Sequence, residues 1–225
     1  MRTMLLRAAD RLFPTAQGSY GVLPPLLVAL TFVTGVVDAV SYLGLRHVFV
    51  ANMTGNVVFF GFSLAGAPNL SVWASALAIA AFVTGAWTAG RVAGRISEGE
   101  RLFRVIVTGQ TVLVAGAVVV ALAAGHQAVG AQVALIIPLG CGMGLQNAAA
   151  RKLALPDLTT TVLTLTVTGL VSDAPGRASV RRLLSIAAMF GGAVCGAALF
   201  VHVGAGAALG LALALLLAVG VAVRA

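Results

Sequence analysis

Long apolar stretches recur along the whole chain, and they constrain its fold more than any other feature. Eight can be drawn, at residues 24–43, 52–66, 72–90, 104–123, 129–150, 158–172, 183–201 and 204–223. Six of them have about 20 residues, enough for a helix to span the roughly 30 Å hydrocarbon core of a bilayer. Each run is continuous rather than alternating, as in buried helices. The sequence therefore predicts an all-α, polytopic helical membrane protein.

Composition narrows the class of function further. Charged residues make up only 9% of the chain, against about 25% in soluble domains, so little room is left for a soluble catalytic domain. The sequence has no Walker, Gly-x-Ser-x-Gly or His-Glu-x-x-His motif and no metal-ligand spacing. We expect no enzyme activity, no cofactor and no metal. The net charge of +8 fits basic loops beside a lipid bilayer better than a nucleic-acid partner.

Residues 1–23 precede the first apolar stretch and are expected to lie in the cytoplasm. Leu5, Ala8 and Leu12 would share one helical stripe, with Arg7 and Arg11 one turn apart. This pattern indicates a short helix on the membrane surface. A disordered tail is the alternative.

The stretches at 52–66 and 158–172 have 15 residues each, too few to cross a bilayer comfortably. Lys and Arg favour the cytoplasmic side, so their distribution tests the topology. If all eight stretches cross, the 14 basic residues divide evenly between the two sides. If the two short stretches enter and leave on the same side, all but Arg46 fall on one side. We therefore predict six full crossings, two partial or re-entrant segments and both termini in the cytoplasm. A seven-crossing chain is the rival.

This topology gives residues 24–123 and 124–225 opposite orientations, each with three crossings and one partial segment. Matches at an offset of 105 residues join Gly35 to Gly140, Arg46 to Arg151, Asn52 to Asp157 and Thr54 to Thr159. The sequence thus predicts an inverted 3+3 repeat. Transporters built in this way place their binding site at the repeat interface, near the bilayer midplane.

Polar residues within or beside the apolar stretches mark the candidate site. Asp38 lies in an apolar run, where a charged side chain costs about 2.5–3.5 kcal/mol and usually faces the bundle interior. Asn52 and Asp157 open the partial segments and are residue types that cap helix starts. The candidates are Asp38, Ser41, Asn52, Thr54 and Asn56 in the first half, and Gln146, Asn147, Asp157, Thr159, Thr160 and Thr161 in the second.

Two half-helix starts that face each other would present free N–H groups and positive dipole ends to a cavity. This arrangement suits a small anion or a carboxylate, and Asp38 could couple its movement to protons. The alternative is structural: the same side chains would cap helices and hydrogen-bond one helix to another.

Pairs of glycines four residues apart let membrane helices approach closely. The chain has such pairs at Gly140/Gly144, Gly192/Gly196 and Gly206/Gly210. We expect them to pack helices within the protein, with a homo-oligomer as the alternative.

The first half carries the stretch Thr31–Gly44 followed by Phe49–Asn56, which contains Asn-Met-Thr-Gly-Asn. The second half carries Gly144–Ala148 followed by Asp157–Thr164. Together these stretches resemble the YoaK-type family of bacterial integral membrane proteins, whose function is unknown. The resemblance implies a multi-pass protein of the bacterial inner membrane and no particular activity or ligand.

The short segments and the polar residues within the membrane favour a small secondary transporter or permease for a small solute. A passive channel built on the same fold is the first alternative. A membrane protein that binds a lipid or a partner without transporting anything is the second.

Overall fold

The fold is described by a computed structural model of residues 2–13, 20–158 and 163–224. Every regular element in this part of the chain is a helix, which confirms the predicted all-α class. In chain order the helices are α1 (Arg2–Leu12), α2 (Leu23–Gly44), α3 (Met53–Leu64), α4 (Val72–Ala93), α5 (Gly99–Ala124), α6 (Val129–Leu153), α7 (Leu163–Ser172), α8 (Arg177–His202) and α9 (Ala205–Ala222).

Six of these helices, α2, α4, α5, α6, α8 and α9, are long and apolar enough to cross a bilayer. They match the six long stretches of the sequence and confirm a polytopic membrane protein. The helices α3 and α7 are apolar but have only 12 and 10 residues. Helix α5 begins at Gly99, five residues before the predicted stretch, because a helix continues past the apolar window into polar residues.

The long helices alternate in direction along the chain. Gly99 at the start of α5 lies beside Leu23 at the start of α2 and Leu153 at the end of α6. At the opposite end of the bundle, Gly44 closes α2 beside Phe200 near the end of α8. The starts of α2, α5 and α8 therefore share one end of the bundle with the ends of α4, α6 and α9.

We call this the basic end, because it carries 13 of the 14 Lys and Arg residues. They are Arg2, Arg7, Arg11, Arg91, Arg95, Arg101, Arg104, Arg151, Lys152, Arg177, Arg181, Arg182 and Arg224. Arg46, between α2 and α3, lies at the opposite end and donates to Gln132 near the start of α6 at 3.1 Å. The uneven charge seen in the sequence is thus a feature of the folded bundle.

Both short helices begin beside Asp38 or the cavity that it lines. After α2, residues 45–52 turn back until the Val50 and Ala51 N–H groups bond to Asp38, within α2. Helix α3 starts at that level, and α4 begins at the end where α2 stopped. Helix α7 likewise begins beside the cavity that Asp38 lines, and the carbonyl of its Gly169 contacts Arg182 at the basic end.

Two parallel helix pairs hold the bundle together, α2 with α8 and α4 with α6. Gly192 of α8 leaves room for the backbone carbonyl of Phe32 in α2. Gly85 of α4 does the same for the carbonyl of Cys141 in α6. A Cβ at either glycine would collide with backbone, so the two crossings depend on glycine in the same way.

The predicted glycine pairs divide into two groups. Gly140 and Gly144 of α6 lie against α4, and Gly192 and Gly196 of α8 lie against α2. In the third pair, Gly206 lies against the Leu122 side chain, whereas at Gly210 no atom lies within 4 Å of the point that a Cβ would occupy. Two of the three pairs therefore pack helix backbones within the protein.

Candidate functional site

A cavity of about 840 Å³ opens between α2, α3, α4, α6, α7 and α8. Its polar lining comes from both halves of the chain. The first half contributes Asp38 of α2 with Asn52 and Thr54 at the start of α3, and the second contributes Asn147 of α6 with Thr164 of α7. Most of the remaining wall is apolar or aromatic. A concave, largely apolar site with a few polar groups is typical of small-molecule binding.

Among the described residues that line this cavity, Asp38 is the one with a formal charge. Its Oδ1 accepts hydrogen bonds from the Val50 N–H at 3.1 Å and the Ala51 N–H at 2.9 Å. Among the described residues, Oδ2 accepts no hydrogen bond. The two backbone donors therefore fix the carboxyl group and leave one oxygen available to a ligand.

The start of α3 forms the neighbouring wall. Asn52 is the N-cap, and its side-chain oxygen accepts from the Gly55 N–H at 3.4 Å, as predicted for a residue of this type. Both Asn52 and Thr54 are exposed and line the cavity. Three candidates of the first half, Asp38, Asn52 and Thr54, thus share one cavity.

Two other candidates of the first half lie behind the wall rather than on it. Asn56 is fully buried, and its side chain accepts from the Phe49 N–H at 2.9 Å and donates to the Phe49 carbonyl. Ser41 is also buried and donates to the Asp38 backbone carbonyl at 3.1 Å. Both side chains use their polar atoms in hydrogen bonds to the backbone of residues that line the cavity.

Three aromatic rings form one side of the cavity. The ring of Phe49 stacks on Tyr42 at 4.9 Å between centroids and on Phe59 at 6.1 Å. Sequence reasoning missed these residues. Tyr42 could have been found, because it follows Asp38 by four residues and so shares its helical face. Nothing in the sequence pattern shows that Phe59 would meet Phe49.

In the second half, the adjacent candidates Gln146 and Asn147 face different ways. Asn147 lines the cavity and donates to the Met143 carbonyl at 2.9 Å. Gln146 is buried between helices, where it accepts from Gln110 and donates to Thr34, both at 2.8 Å. Asn147 therefore belongs to the candidate site, and Gln146 ties α2, α5 and α6 together.

Asp157 does not line the cavity, contrary to the expectation that it would face Asn52 there. Its carboxylate pairs with Arg181 at 2.6 Å and Arg182 at 2.9 Å, at the basic end. Its φ of 60° is left-handed, whereas an N-cap residue usually has extended φ and ψ. The candidates Thr159, Thr160 and Thr161 lie outside the described residues.

The same ion-pair network reaches the end of α7. Arg182 also pairs with Asp173 at 2.7 Å. Hydrogen bonds from Arg182 and then Ser172 hold the pKa of Asp173 below its usual range. These contacts join the loop after α6, the end of α7 and the start of α8, so Asp157 organises the basic end.

Comparison with known proteins places this chain in a family. The family model described as "Protein of unknown function (DUF1275)" matches residues 26–222. The chain is also similar to the UPF0700 transmembrane protein YoaK of Bacillus subtilis (strain 168). The two are 35% identical over 153 residues, which cover 68% of this chain and 67% of that relative. No solved structure matches. The chain therefore belongs to the DUF1275 family of membrane proteins, to which the resemblance to YoaK pointed.

Proposed function

We propose that this protein is a small-solute permease of the bacterial inner membrane, not an enzyme, and that the cavity beside Asp38 binds its solute. One observation carries the proposal: α3 and α7 both begin at a cavity that polar residues of both halves line. Short helices that start at mid-membrane depth are typical of transporter binding sites.

The packing of the long helices supports the proposed inverted repeat. Gly35 lies against the Met189 carbonyl and the Ala193 N–H group, and Gly144 lies in the same way against Phe82 and Ala86. In its contacts, Gly35 thus resembles Gly144. The predicted offset of 105 residues pairs Gly35 with Gly140 instead. The corrected offset, which pairs Gly35 with Gly144 and relates α2 to α6, is therefore about one helical turn longer than 105 residues.

This register has a consequence for the site. Asp38 stands three residues after Gly35, and Asn147 stands three residues after Gly144. A repeat with the corrected offset therefore gives Asp38 and Asn147 equivalent positions on α2 and α6. Both line the cavity. We propose that the solute lies between them, at the interface of the two repeats.

The proposed topology places the basic end in the cytoplasm, with both termini, because Lys and Arg favour that side. In this arrangement α3 and α7 are re-entrant from opposite faces of the membrane. Pro68, between α3 and α4, would then face outside, and Pro175, between α7 and α8, would face inside.

Cysteine labelling tests this topology. Pro68→Cys and Pro175→Cys are introduced singly, after Cys141 and Cys195 have been replaced by serine. A membrane-impermeant maleimide added to intact cells should label position 68, and position 175 should react only after the membrane is opened. Labelling of both positions from the same side would exclude the inverted repeat.

Flux into proteoliposomes tests the function itself. A panel of small cations, anions and neutral solutes should include at least one with saturable uptake that responds to a proton gradient. Asp38→Asn should abolish this uptake while leaving the fold intact, because an asparagine oxygen can still accept from Val50 and Ala51. Glu98→Gln removes an exposed carboxylate outside the cavity and serves as the control.

The alternatives predict different outcomes. Uptake that is linear in solute concentration and indifferent to pH would indicate a passive channel. No uptake of any solute, together with a lipid that copurifies with the protein, would indicate a membrane protein that binds without transporting.

A further inference from the structure

We infer that the solute is an organic cation with an apolar body, such as a protonated amine that carries a ring. This inference rests on the proposed permease function and names its substrate class. It departs from the small anion or carboxylate that the sequence alone favours. Three features of the cavity carry it: its charge, the state of its backbone donors and its aromatic wall.

Charge is the first feature. Of the described residues, Asp38 is the one that brings a formal charge to the cavity lining, and none of them donates a hydrogen bond to its Oδ2. A carboxylate held away from bulk water is stabilised by an opposite charge, so a cationic ligand complements it and an anionic ligand is repelled. The nearby Arg46 lines a separate cavity and donates to Gln132.

The backbone donors are the second feature. The sequence favours an anion because free N–H groups are expected at the two half-helix starts. In the first half, Asp38 accepts from the Val50 and Ala51 N–H groups, and Asn52 accepts from that of Gly55. Two of these donors lie in the loop before α3 and one lies in its first turn. All three already have acceptors within the protein and are not available to an anion.

The aromatic wall is the third feature. The cavity is lined by four aromatic residues of the first half: Tyr42, Phe49, Phe59 and Phe82. Tyr42 lies on the same helical face as Asp38, one turn further along α2. Aromatic faces attract cations and also bury apolar groups. A cavity of about 840 Å³ has room for a ring-bearing molecule rather than a bare ion.

Three probes of similar shape and different charge test the inference: phenethylammonium, phenylacetate and phenylacetamide. Binding to the purified protein is measured by calorimetry, and uptake is measured in proteoliposomes. Phenethylammonium should bind at least tenfold more tightly than either of the others and should be taken up. Preferential binding or uptake of phenylacetate or phenylacetamide would overturn the cation assignment. Uptake of either one would leave the permease function standing.

The rest of the solute panel separates the two failures. If another solute is taken up but no organic cation binds, the permease function stands and the cation class is wrong. If no solute is taken up at all, the permease function fails and the substrate assignment fails with it.

Variants show whether binding uses the proposed groups. Asp38→Asn should weaken phenethylammonium binding at least tenfold and leave any weak phenylacetamide binding unchanged. Tyr42→Leu keeps an apolar side chain but removes the ring, and should weaken the cation more than the amide. Glu98→Gln should bind as the wild type does. Thermal midpoints identify misfolded variants; if Asp38→Asn misfolds, Tyr42→Leu decides. Unchanged cation binding in a folded Asp38→Asn variant would overturn the inference.

Discussion

Replacing Gly85 with alanine is expected to destabilise the protein by about 1–3 kcal/mol, the usual cost of overpacking a close contact. The new Cβ would collide with the Cys141 carbonyl of α6, a backbone atom that cannot move without shifting the helix. Gly192→Ala should have a similar effect, because its Cβ would meet the Phe32 carbonyl of α2. Thermal unfolding in detergent, or steric trapping in bicelles, measures the loss.

Gly90→Ala is the matched control, on the same helix as Gly85. No atom lies within 4 Å of a Cβ placed at Gly90, so alanine meets no obstacle there. Its better helix propensity should make this variant as stable as the wild type or slightly more so. Equal losses of stability in Gly85→Ala and Gly90→Ala would contradict the proposed helix crossing.

Replacing Asn56 with alanine is expected to cost about 2 kcal/mol or more, because two backbone groups lose their partners. The Phe49 N–H donates to the Asn56 side chain, and the Phe49 carbonyl accepts from it. An unsatisfied buried polar group costs about 1–3 kcal/mol. Amide hydrogen exchange should also quicken in residues 45–51, which this side chain holds in place.

Asn52→Ala is the control within the same five-residue motif. Asn52 is exposed and caps α3, so its loss should cost about 1 kcal/mol and leave exchange at Phe49 unchanged. If Asn52→Ala proves as destabilising as Asn56→Ala, or if exchange at Phe49 does not change in Asn56→Ala, the assigned roles are wrong.

The motif Asn52–Asn56 shows how far sequence reasoning reached. The sequence marks it as important, because polar residues open a short apolar segment. Its two asparagines are chemically identical, yet one lines the cavity and the other is buried. The difference arises because residues 45–51 fold back over the start of α3, and no local pattern specifies that path.

Gln146 and Asn147 make the same point on a long helix. Successive residues on a helix are about 100° apart, so the two side chains must face different neighbours. The sequence does not specify which face meets the cavity, since this depends on how α6 packs against α4. Once that contact is formed, Asn147 faces the cavity and Gln146 reaches Gln110 and Thr34.

The position of Asp157 differs from the one that the sequence predicts, for a related reason. Its residue type and its position before an apolar segment predict a helix cap, which is a local role. Its partners, Arg181 and Arg182, are 24 and 25 residues away in the chain and on a different helix. Ion pairs between distant residues leave no periodic signal in a sequence, so a sequence shows the capping pattern at Asp157 and not its partners.

The sequence by itself determined the membrane class, the six long helices, the two short ones and the basic end. These follow from hydrophobic length and from charge, which act on each segment separately. The tertiary structure alone decided which polar residues share a cavity, because side chains from α2, α3, α6 and α7 meet only after the helices pack. Close glycine contacts join α2 to α8 and α4 to α6. In the packed bundle Asp38, Asn52 and Asn147 share one cavity, and ion pairs with Arg181 and Arg182 hold Asp157 at the basic end.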